Sequence, residues 1–325
     1  MKIEPIKSSA GYTVAVRVLT PFKDMKEQDF IDLVREFGTV VWKKDTATVD
    51  EYIDFQMKIG YHQAADIWCN DEKYPQIYRV TNLKLKDDHE SEGLFGHGDL
   101  DWHCNILFTP DSEEMVALRA VEIPKGSQTI MANSIPYWNN LSQEKRDYYE
   151  TLYLSITNKM EDTYENKLAH YILPTAELKD FDKKRANKAI QSSMNYDQEY
   201  DKFPEGRFEK QNVLKMISDH PLGIKGVYFP HLNLSHMCDK DGNKLDNHRE
   251  VYEEIRREYV DSSQYHYAHE WEVGDICFME QLTGIHRRNN VWAEKGLDPV
   301  TAKRELQRTS FWYKTDYRLH TGRSI

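Results

Sequence analysis

The sequence predicts a mainly β protein with flanking helices, that is, an α+β fold built around a sandwich or barrel. Short runs of β-branched and aromatic residues recur from Ile77 onward, and turn signals such as Pro124-Lys125-Gly126 separate them. Two segments with helical spacing of apolar residues come before these runs. A length of 325 residues fits either one large domain or two small ones, and we expect a single domain over 1–325.

The amino-terminal segment predicts a strand, a helix, a second strand and a second helix, in that order. Residues 12–19 alternate as a strand, and a helix that begins near Lys26 repeats its apolar residues at helical spacing until Gly38. Thr39–Trp42 is a short β-branched run, and Val49–Ile59 carries aromatic and aliphatic residues on one helical face. The chain therefore enters the fold through alternating strands and helices.

The rest of the chain predicts further strands, two more helices and a long polar insertion. Helices are expected to start at Leu141-Ser142 and to span 248–259. We interpret the polar stretch at about 161–212 as an insertion between strands, either a lid or oligomer surface or a plain solvated excursion, because long connections are more often functional than idle. The predicted strands are 77–82, 102–108, 115–123, 128–132, 226–234, Ile276–Glu280 and 308–313.

The composition narrows the class of partner. With 54 acidic and 43 basic residues, the formal charge of -11 argues against a nucleic acid and favours a small-molecule substrate. No stretch approaches the roughly 20 apolar residues of a membrane span, and the first residues lack the apolar core of a signal peptide, so we expect no membrane partner and a cytoplasmic location. Four scattered cysteines argue against a structural zinc site and a disulfide framework.

Two distant histidines are the candidate metal ligands. On a strand, the side chains of Asp101, His103 and Asn105 project to the same side, and His286 follows far downstream. An early histidine on a strand and a late one ahead of a basic pair is the sequence order of a facial iron site that uses a 2-oxo acid. The alternative for either histidine alone is an ordinary hydrogen-bonded core or surface residue.

Arg304 and Arg308 are the candidate anion-binding residues. They lie four apart on a strand or its approach, so they share one face, and a guanidinium can bind a carboxylate through two hydrogen bonds. A solvated charge pair is the alternative. Thr129, on the strand after Gly126, is placed to add a hydroxyl to the same carboxylate.

In their order and spacing, these residues resemble the taurine dioxygenase and clavaminate synthase-like (TauD/TfdA) branch of the Fe(II)/2-oxoglutarate-dependent oxygenases. The resemblance covers nearly the whole chain. Leu100-Asp101-Trp102-His103 with Phe108 is similar to the family's first metal motif, and Trp271-Glu272-Val273-Gly274-Asp275 precedes the second metal histidine. Further matches are Phe37-Gly38-Thr39-Val40-Val41-Trp42, Glu122-Ile123-Pro124, Gly126-Ser127-Gln128-Thr129, His220-Pro221-Leu222-Gly223 and Val227-Tyr228-Phe229.

The resemblance implies a distorted double-stranded β-helix, or jelly roll, with Fe(II) at its open end and with 2-oxoglutarate and O₂ as cosubstrates. By position, the metal ligands are His103, His286 and the residue at 105. The family usually has Asp or Glu there, whereas Asn105 is a neutral and weaker ligand. Three alternatives stay open: Asn105 coordinates through its oxygen, the iron takes an exogenous anion as in related halogenases, or the site is inactive.

The resemblance also assigns the anion-binding residues. It implies that Thr129 and Arg304 hold the distal carboxylate of 2-oxoglutarate and that Arg308 faces an anionic group of the substrate. Asp99 falls where relatives often contact substrate, and its charge suits an ammonium or guanidinium group. A second register, in which His97-Gly98-Asp99 is the metal motif, fits the family's spacing less well.

Together these features predict an Fe(II)- and 2-oxoglutarate-dependent oxygenase that oxidises an unactivated C-H bond by hydroxylation, desaturation or oxidative cyclisation. The charges of Asp99 and Arg308 favour a small, charged, amino-acid-derived metabolite. A homo-oligomer is compatible with the sequence. The alternatives are a catalytically silent ligand-binding relative and a halogenase, because Asn105 replaces the usual carboxylate.

Overall fold

A computed structural model describes residues 1–62, 69–83, 100–105, 113–156, 213–231 and 234–318. The predicted insertion at about 161–212 and the candidate Asp99 lie outside these residues, so both stay predictions. The single domain over 1–325 likewise stays a prediction. No helix in the described ranges is long and apolar enough to cross a membrane.

Strands make up most of the regular structure. They are β1 (Ile3–Lys7), β2 (Thr13–Val18), β3 (Thr39–Trp42), β4 (Gly60–His62), β5 (Tyr78–Thr81), β6 (Leu100–His103), β7 (Met115–Glu122), β8 (Gln128–Asn133), β9 (Tyr153–Ile156), β10 (Val213–Lys215), β11 (Leu234–Cys238), β12 (His266–Glu270), β13 (Ile276–Glu280), β14 (Gly284–Arg288) and β15 (Glu305–Tyr313). The helices are α1 (Glu27–Phe37), α2 (Val49–Ile59), α3 (Ser134–Asn140), α4 (Gln143–Glu150), α5 (His248–Ile255, continued by a π turn over Arg256–Val260) and α6 (Val291–Lys295).

The strands form two principal sheets. The larger sheet has the order β1-β2-β3-β13-β7-β15-β4, and β5 also pairs with β15. The smaller sheet has the order β12-β8-β14-β6, and β10-β9-β11 form a third sheet. Apart from the parallel β2 and β3, the paired strands of the two principal sheets run antiparallel, as the mainly β prediction requires.

Apolar contacts show which faces of the two sheets meet. Met131 of β8 lies with its sulfur 3.7 Å from the sulfur of Cys277 in β13, and Leu306 of β15 belongs to the same buried cluster. Because side chains two residues apart on a strand share a face, Arg308 also projects between the sheets, as does His286, which pairs with Met131. The candidate site therefore lies between the sheets.

The opposite face of the larger sheet is covered by α1 and α2. Phe30 of α1 packs edge-on against Phe278 of β13 with ring centroids 4.8 Å apart, and Phe55 of α2 joins the same cluster. α2 begins with a capping box, in which Thr48 and Glu51 satisfy each other's backbone N–H groups. These helices hold the larger sheet in place behind the candidate site.

The predicted bounds of β3, α2 and β13 are confirmed, but the strand predicted at 226–234 is wrong over 226–231. Val227, Tyr228 and Phe229 are buried in succession rather than alternately, and Pro230 removes a backbone donor. The amide of Val227 donates to the Ser134 hydroxyl at 2.8 Å instead of to a neighbouring strand. Within the described part of this segment, regular strand is present from Leu234.

Candidate active site

β6 and β14 place the two candidate histidines side by side. The two strands pair antiparallel, and His103 and His286 are direct partners in that ladder. Their ring centroids lie 4.3 Å apart, and both residues are buried. The fold therefore brings together the two histidines that the sequence predicted as metal ligands.

Burial and hydrogen bonding keep both imidazoles in the form that binds a metal. Nδ1 of His103 lies 2.7 Å from the backbone oxygen of Asp101, which places the proton on Nδ1 and the lone pair on Nε2. Burial lowers the pKa of His103 to about 4, and nearby positive charge adds to the effect. Burial also lowers the pKa of His286 well below its usual value. Both rings are therefore neutral near neutral pH.

Asn105 is the third polar side chain beside the histidines. It is buried, and its Nδ2 lies 3.4 Å from Nε2 of His286. The side-chain oxygen of Gln281 accepts hydrogen bonds from the backbone N–H of Asn105 at 3.0 Å and from its Nδ2 at 3.4 Å. The Asn105 side chain thus presents its amide nitrogen to both His286 and Gln281. The described residues contain no group of three His, Cys, Asp or Glu side chains that could hold a metal.

The turn between β13 and β14 sets the position of His286. One carboxylate oxygen of Glu280 accepts hydrogen bonds from the backbone N–H and the hydroxyl of Thr283, at 2.6 and 2.8 Å. Its other oxygen lies 2.8 Å from Nε2 of the buried His220. A Cβ atom at Gly284 would lie 2.7 Å from the backbone oxygen of Glu280, so this tight turn requires glycine.

Arg304 lies just before β15 and is 2% exposed. Its Nε donates to the Ser127 hydroxyl at 3.3 Å, and its backbone N–H donates to the Asn82 side chain at 2.7 Å. Its Nη1 has no hydrogen-bond partner among the described residues. Burial lowers the pKa of Arg304, and the positive charge of Arg288 lowers it further. An anion bound here would compensate both effects.

Thr129 and Trp271 lie beside Arg304. The indole N–H of Trp271 donates to the Thr129 hydroxyl at 2.9 Å, and its backbone N–H donates to the Ser127 carbonyl at 2.9 Å. Because the Thr129 oxygen accepts from Trp271, its own proton is directed to another acceptor. Ser127 thus contacts Arg304 through its hydroxyl and Trp271, the partner of Thr129, through its carbonyl, and the shared carboxylate site of Thr129 and Arg304 stays a prediction.

Arg308 has different surroundings. Its Nη2 donates to both carboxylate oxygens of Glu113, at 2.7 and 2.6 Å, and the Ser310 hydroxyl donates to the same carboxylate at 2.7 Å. The guanidinium lies over the ring of Tyr78, 5.3 Å from its centroid. Glu113 is 1% exposed. The anion beside Arg308 is therefore supplied by the protein itself.

Sequence reasoning missed Glu113 and Gln281. Glu113-Glu114 precedes a strand and has the pattern of a solvated acidic pair, and Gln281 lies in a short turn. Arg288 also carries no motif of its own, yet it pairs with Thr129 in the β8–β14 ladder and is buried. No local signal could have identified these residues, because their partners are distant in sequence.

The chain is similar in sequence to known proteins over most of its length. The chain matches the sequence model of the taurine catabolism dioxygenase TauD, TfdA family over residues 2–310. It is 23% identical over 269 residues to the pentalenolactone F synthase of Streptomyces arenae, which covers 81% of this chain and 78% of that protein. The corresponding enzyme of Streptomyces avermitilis is 23% identical over 241 residues, covering 72% of this chain and 67% of that protein.

Solved structures of low sequence identity share the fold. A taurine dioxygenase from Burkholderia xenovorans superimposes with a TM-score of 0.62 at 13% identity, covering 96% of this chain and 89% of that one. AAD-2 in complex with Mn(II) and N-oxalylglycine also gives a TM-score of 0.62 at 13% identity, covering 97% and 98%. The double-stranded β-helix of such enzymes is therefore the fold of this chain.

Proposed function

This chain belongs to the taurine catabolism dioxygenase TauD, TfdA family, and we propose that it oxidises an unactivated C-H bond of a small metabolite at the site between His103, His286 and Arg304. The chain is a 2-oxoglutarate-dependent dioxygenase, and its family uses Fe(II), 2-oxoglutarate and O₂. One observation carries the proposal: two buried, neutral imidazoles in contact lie between the same sheets as a buried guanidinium with an unsatisfied N–H group.

The metal half of the site fits Fe(II) through neutral donors. We assign His103 and His286 as the ligands, with Asn105 lining the third position. When bound, Fe(II) together with 2-oxoglutarate and O₂ supplies the oxidant for the C-H bond. Since neither imidazole nor amide carries charge, the described donors balance neither positive charge of the metal, and the chelating carboxylate of the 2-oxo acid would balance one of them.

The cosubstrate half fits a carboxylate. Arg304 offers the N–H of Nη1, and Thr129 offers a hydroxyl proton that the Trp271 hydrogen bond directs away from the indole. We assign these two groups to the distal carboxylate of 2-oxoglutarate. Burial of Arg304 excludes competing water, which strengthens a charge-assisted hydrogen bond.

The residues around Arg308, which were predicted to bind the substrate, do not favour the amino-acid-derived metabolite that the sequence predicts. That prediction used Arg308 to bind an anionic group, but Glu113 already forms a close ion pair with Arg308. Because the Arg308–Glu113 pair has no net charge, we propose a substrate that needs no anionic group at Arg308. An amino-acid-derived class then depends on Asp99 alone.

Among the outcomes, we propose oxygenation, desaturation or cyclisation rather than halogenation. The Asn105 side chain is buried and hydrogen-bonded at the third position, so a halide would have to displace it. Family membership favours an enzyme over a silent binder. A cytoplasmic location and a homo-oligomer stay predictions.

Anaerobic addition of Fe(II) and then 2-oxoglutarate to the metal-free protein tests the proposal. We expect the visible charge-transfer band of a chelated 2-oxo acid, its loss in His286→Ala, and its retention in His236→Ala, a control histidine on β11. Succinate release on admitting O₂ would follow. A folded wild-type protein without the band, or a His286→Ala variant that keeps it, would contradict the site.

A further inference from the structure

Arg288 lies where the two halves of the site meet. It is 6% exposed, and it follows His286 by two positions on β14, so both side chains project to the same face of the strand. In the ladder between β14 and β8 it is the direct partner of Thr129. Directly opposed residues of antiparallel strands have side chains within about 4.5–5.5 Å at Cβ.

The position of Thr129 fixes where a carboxylate can lie. Its hydroxyl accepts from Trp271, so it donates to an acceptor on the side away from the indole. Arg304 approaches the same region from the larger sheet, because its Nε contacts the hydroxyl of Ser127, two residues before Thr129. A carboxylate in reach of Thr129 and Arg304 is therefore also beside Arg288.

Charge supports the same placement. Arg288 lies opposite Thr129, and Arg304 contacts Ser127 two residues before it; in keeping with this, the positive charge of Arg288 lowers the pKa of Arg304 beyond the effect of burial. Arg304 forms no ion pair with an acidic side chain in the described parts of the chain, and its Nη1 has no partner there. An anion between the two arginines would convert this repulsion into two attractions.

We propose that Arg288 is a second guanidinium contact of the distal carboxylate of 2-oxoglutarate, which it shares with Arg304 and Thr129. This assignment rests on the proposed function. A carboxylate has about four lone-pair sites on two oxygens, so it can accept from both guanidinium groups and from the hydroxyl at once. Arg288 is in this view a cosubstrate-binding residue that also links the carboxylate to the strand of His286.

The experiment is an anaerobic titration of the Fe(II)-loaded enzyme, followed by its charge-transfer band. Wild type, Arg288→Gln and Arg288→Lys are titrated with 2-oxoglutarate and with 2-oxopentanoate, which has the same five-carbon chain but a methyl group in place of the distal carboxylate. Arg287→Gln is the matched control, because Arg287 is exposed and projects from the other face of β14. Circular dichroism and thermal melting confirm that each variant is folded.

We expect Arg288→Gln to weaken 2-oxoglutarate binding by about tenfold or more, the size of a lost hydrogen bond to a charged group. Arg288→Lys should lose less, because it keeps the charge. Binding of 2-oxopentanoate, and of Fe(II) without any 2-oxo acid, should change less than about twofold, which is well below the loss of one such hydrogen bond.

Three results would overturn the assignment. They are unchanged 2-oxoglutarate affinity in Arg288→Gln, an equal loss of 2-oxopentanoate affinity, and an equal loss of Fe(II) affinity without a cosubstrate. Failure of the proposed function itself would look different, since wild type would then give no band with 2-oxoglutarate.

Discussion

Arg304 and Arg308 are the same residue type, four positions apart, and both are buried, yet their surroundings are opposite. Arg308 is neutralised by Glu113, which Ser310 also holds. Arg304 is surrounded by hydroxyl and amide groups and by a second positive charge, and its Nη1 is unsatisfied among the described residues. The difference teaches that Arg308 has its counter-ion within the folded protein, whereas Arg304 is the arginine that we propose to bind a ligand.

The proposed metal site resembles the surroundings of Arg304 in its lack of negative charge. Its described donors are two neutral imidazoles and an amide, so it supplies no negative charge. In the proposed site, Arg304, Arg288 and a divalent metal carry four positive charges, and 2-oxoglutarate would bring two negative charges to them. Metal and cosubstrate should therefore bind with strong mutual dependence.

The largest expected effect is on the Arg308 side. Glu113→Gln keeps the shape of the side chain but leaves Arg308 as an uncompensated buried charge, which typically costs about 3 kcal/mol or more of unfolding free energy. We expect this loss in urea denaturation of the metal-free protein. Part of it should be recovered by added formate, because the variant turns Arg308 into an arginine that needs a ligand.

The matched control is Glu122→Gln, which removes an exposed carboxylate from the same strand region and should change stability by less than about 0.5 kcal/mol. If Glu113→Gln is as stable as this control, the Glu113 ion pair contributes nothing and the contrast between the two arginines is lost.

A smaller effect is expected at the metal. Asn105→Asp adds a negative charge at the third position, so Fe(II) should bind about tenfold more tightly without cosubstrate, which corresponds to about 1.4 kcal/mol. The enhancement of Fe(II) binding by 2-oxoglutarate should shrink, since the 2-oxo acid no longer supplies all of the negative charge. Anaerobic Fe(II) titrations with and without 2-oxoglutarate measure both quantities.

Asn139→Asp, the same charge change at an exposed position of α3, serves as the control. Unchanged or weaker Fe(II) binding in Asn105→Asp would show that position 105 does not face the metal.

The smallest effect concerns the orientation of Thr129. Trp271→Phe removes the indole donor but keeps an aromatic ring, so the Thr129 hydroxyl can rotate and its donation to the carboxylate becomes less well directed. We expect 2-oxoglutarate binding to weaken about two- to fivefold, in line with a neutral hydrogen bond of about 0.5–1 kcal/mol. Trp138→Phe, in a separate apolar cluster, should leave the titration unchanged, and an equal effect in both variants would assign the loss to general packing.

The sequence could predict those parts of the molecule that depend on local pattern. The Gly274-Asp275 turn before Ile276–Glu280 and the helical spacing of Val49–Ile59 define those elements to the residue. The order of His103, Thr129, His286 and Arg304 gave the candidate site, because a family motif fixes which strands carry them.

Long-range contacts account for what the sequence could not predict. Glu113 reaches Arg308 only because β7 and β15 are neighbours, and Arg288 reaches Thr129 only because β14 pairs with β8. The segment 226–231 has strand-forming residues but makes its hydrogen bonds to a helix-start serine and a loop instead of a ladder. In each case the tertiary partner, and not the local composition, decides the outcome.

The two-residue spacing of His286 and Arg288 on β14 fixes the distance between their backbone positions. A strand advances about 6.7 Å over two residues, and the regular ladder between β14 and β8 holds that distance between the backbone positions of His286 and Arg288. In the proposed site, His286 binds the metal at one end of this distance and Arg288 binds the distal carboxylate at the other. We therefore expect the enzyme to prefer the five-carbon 2-oxoglutarate over 2-oxo diacids of four or six carbons.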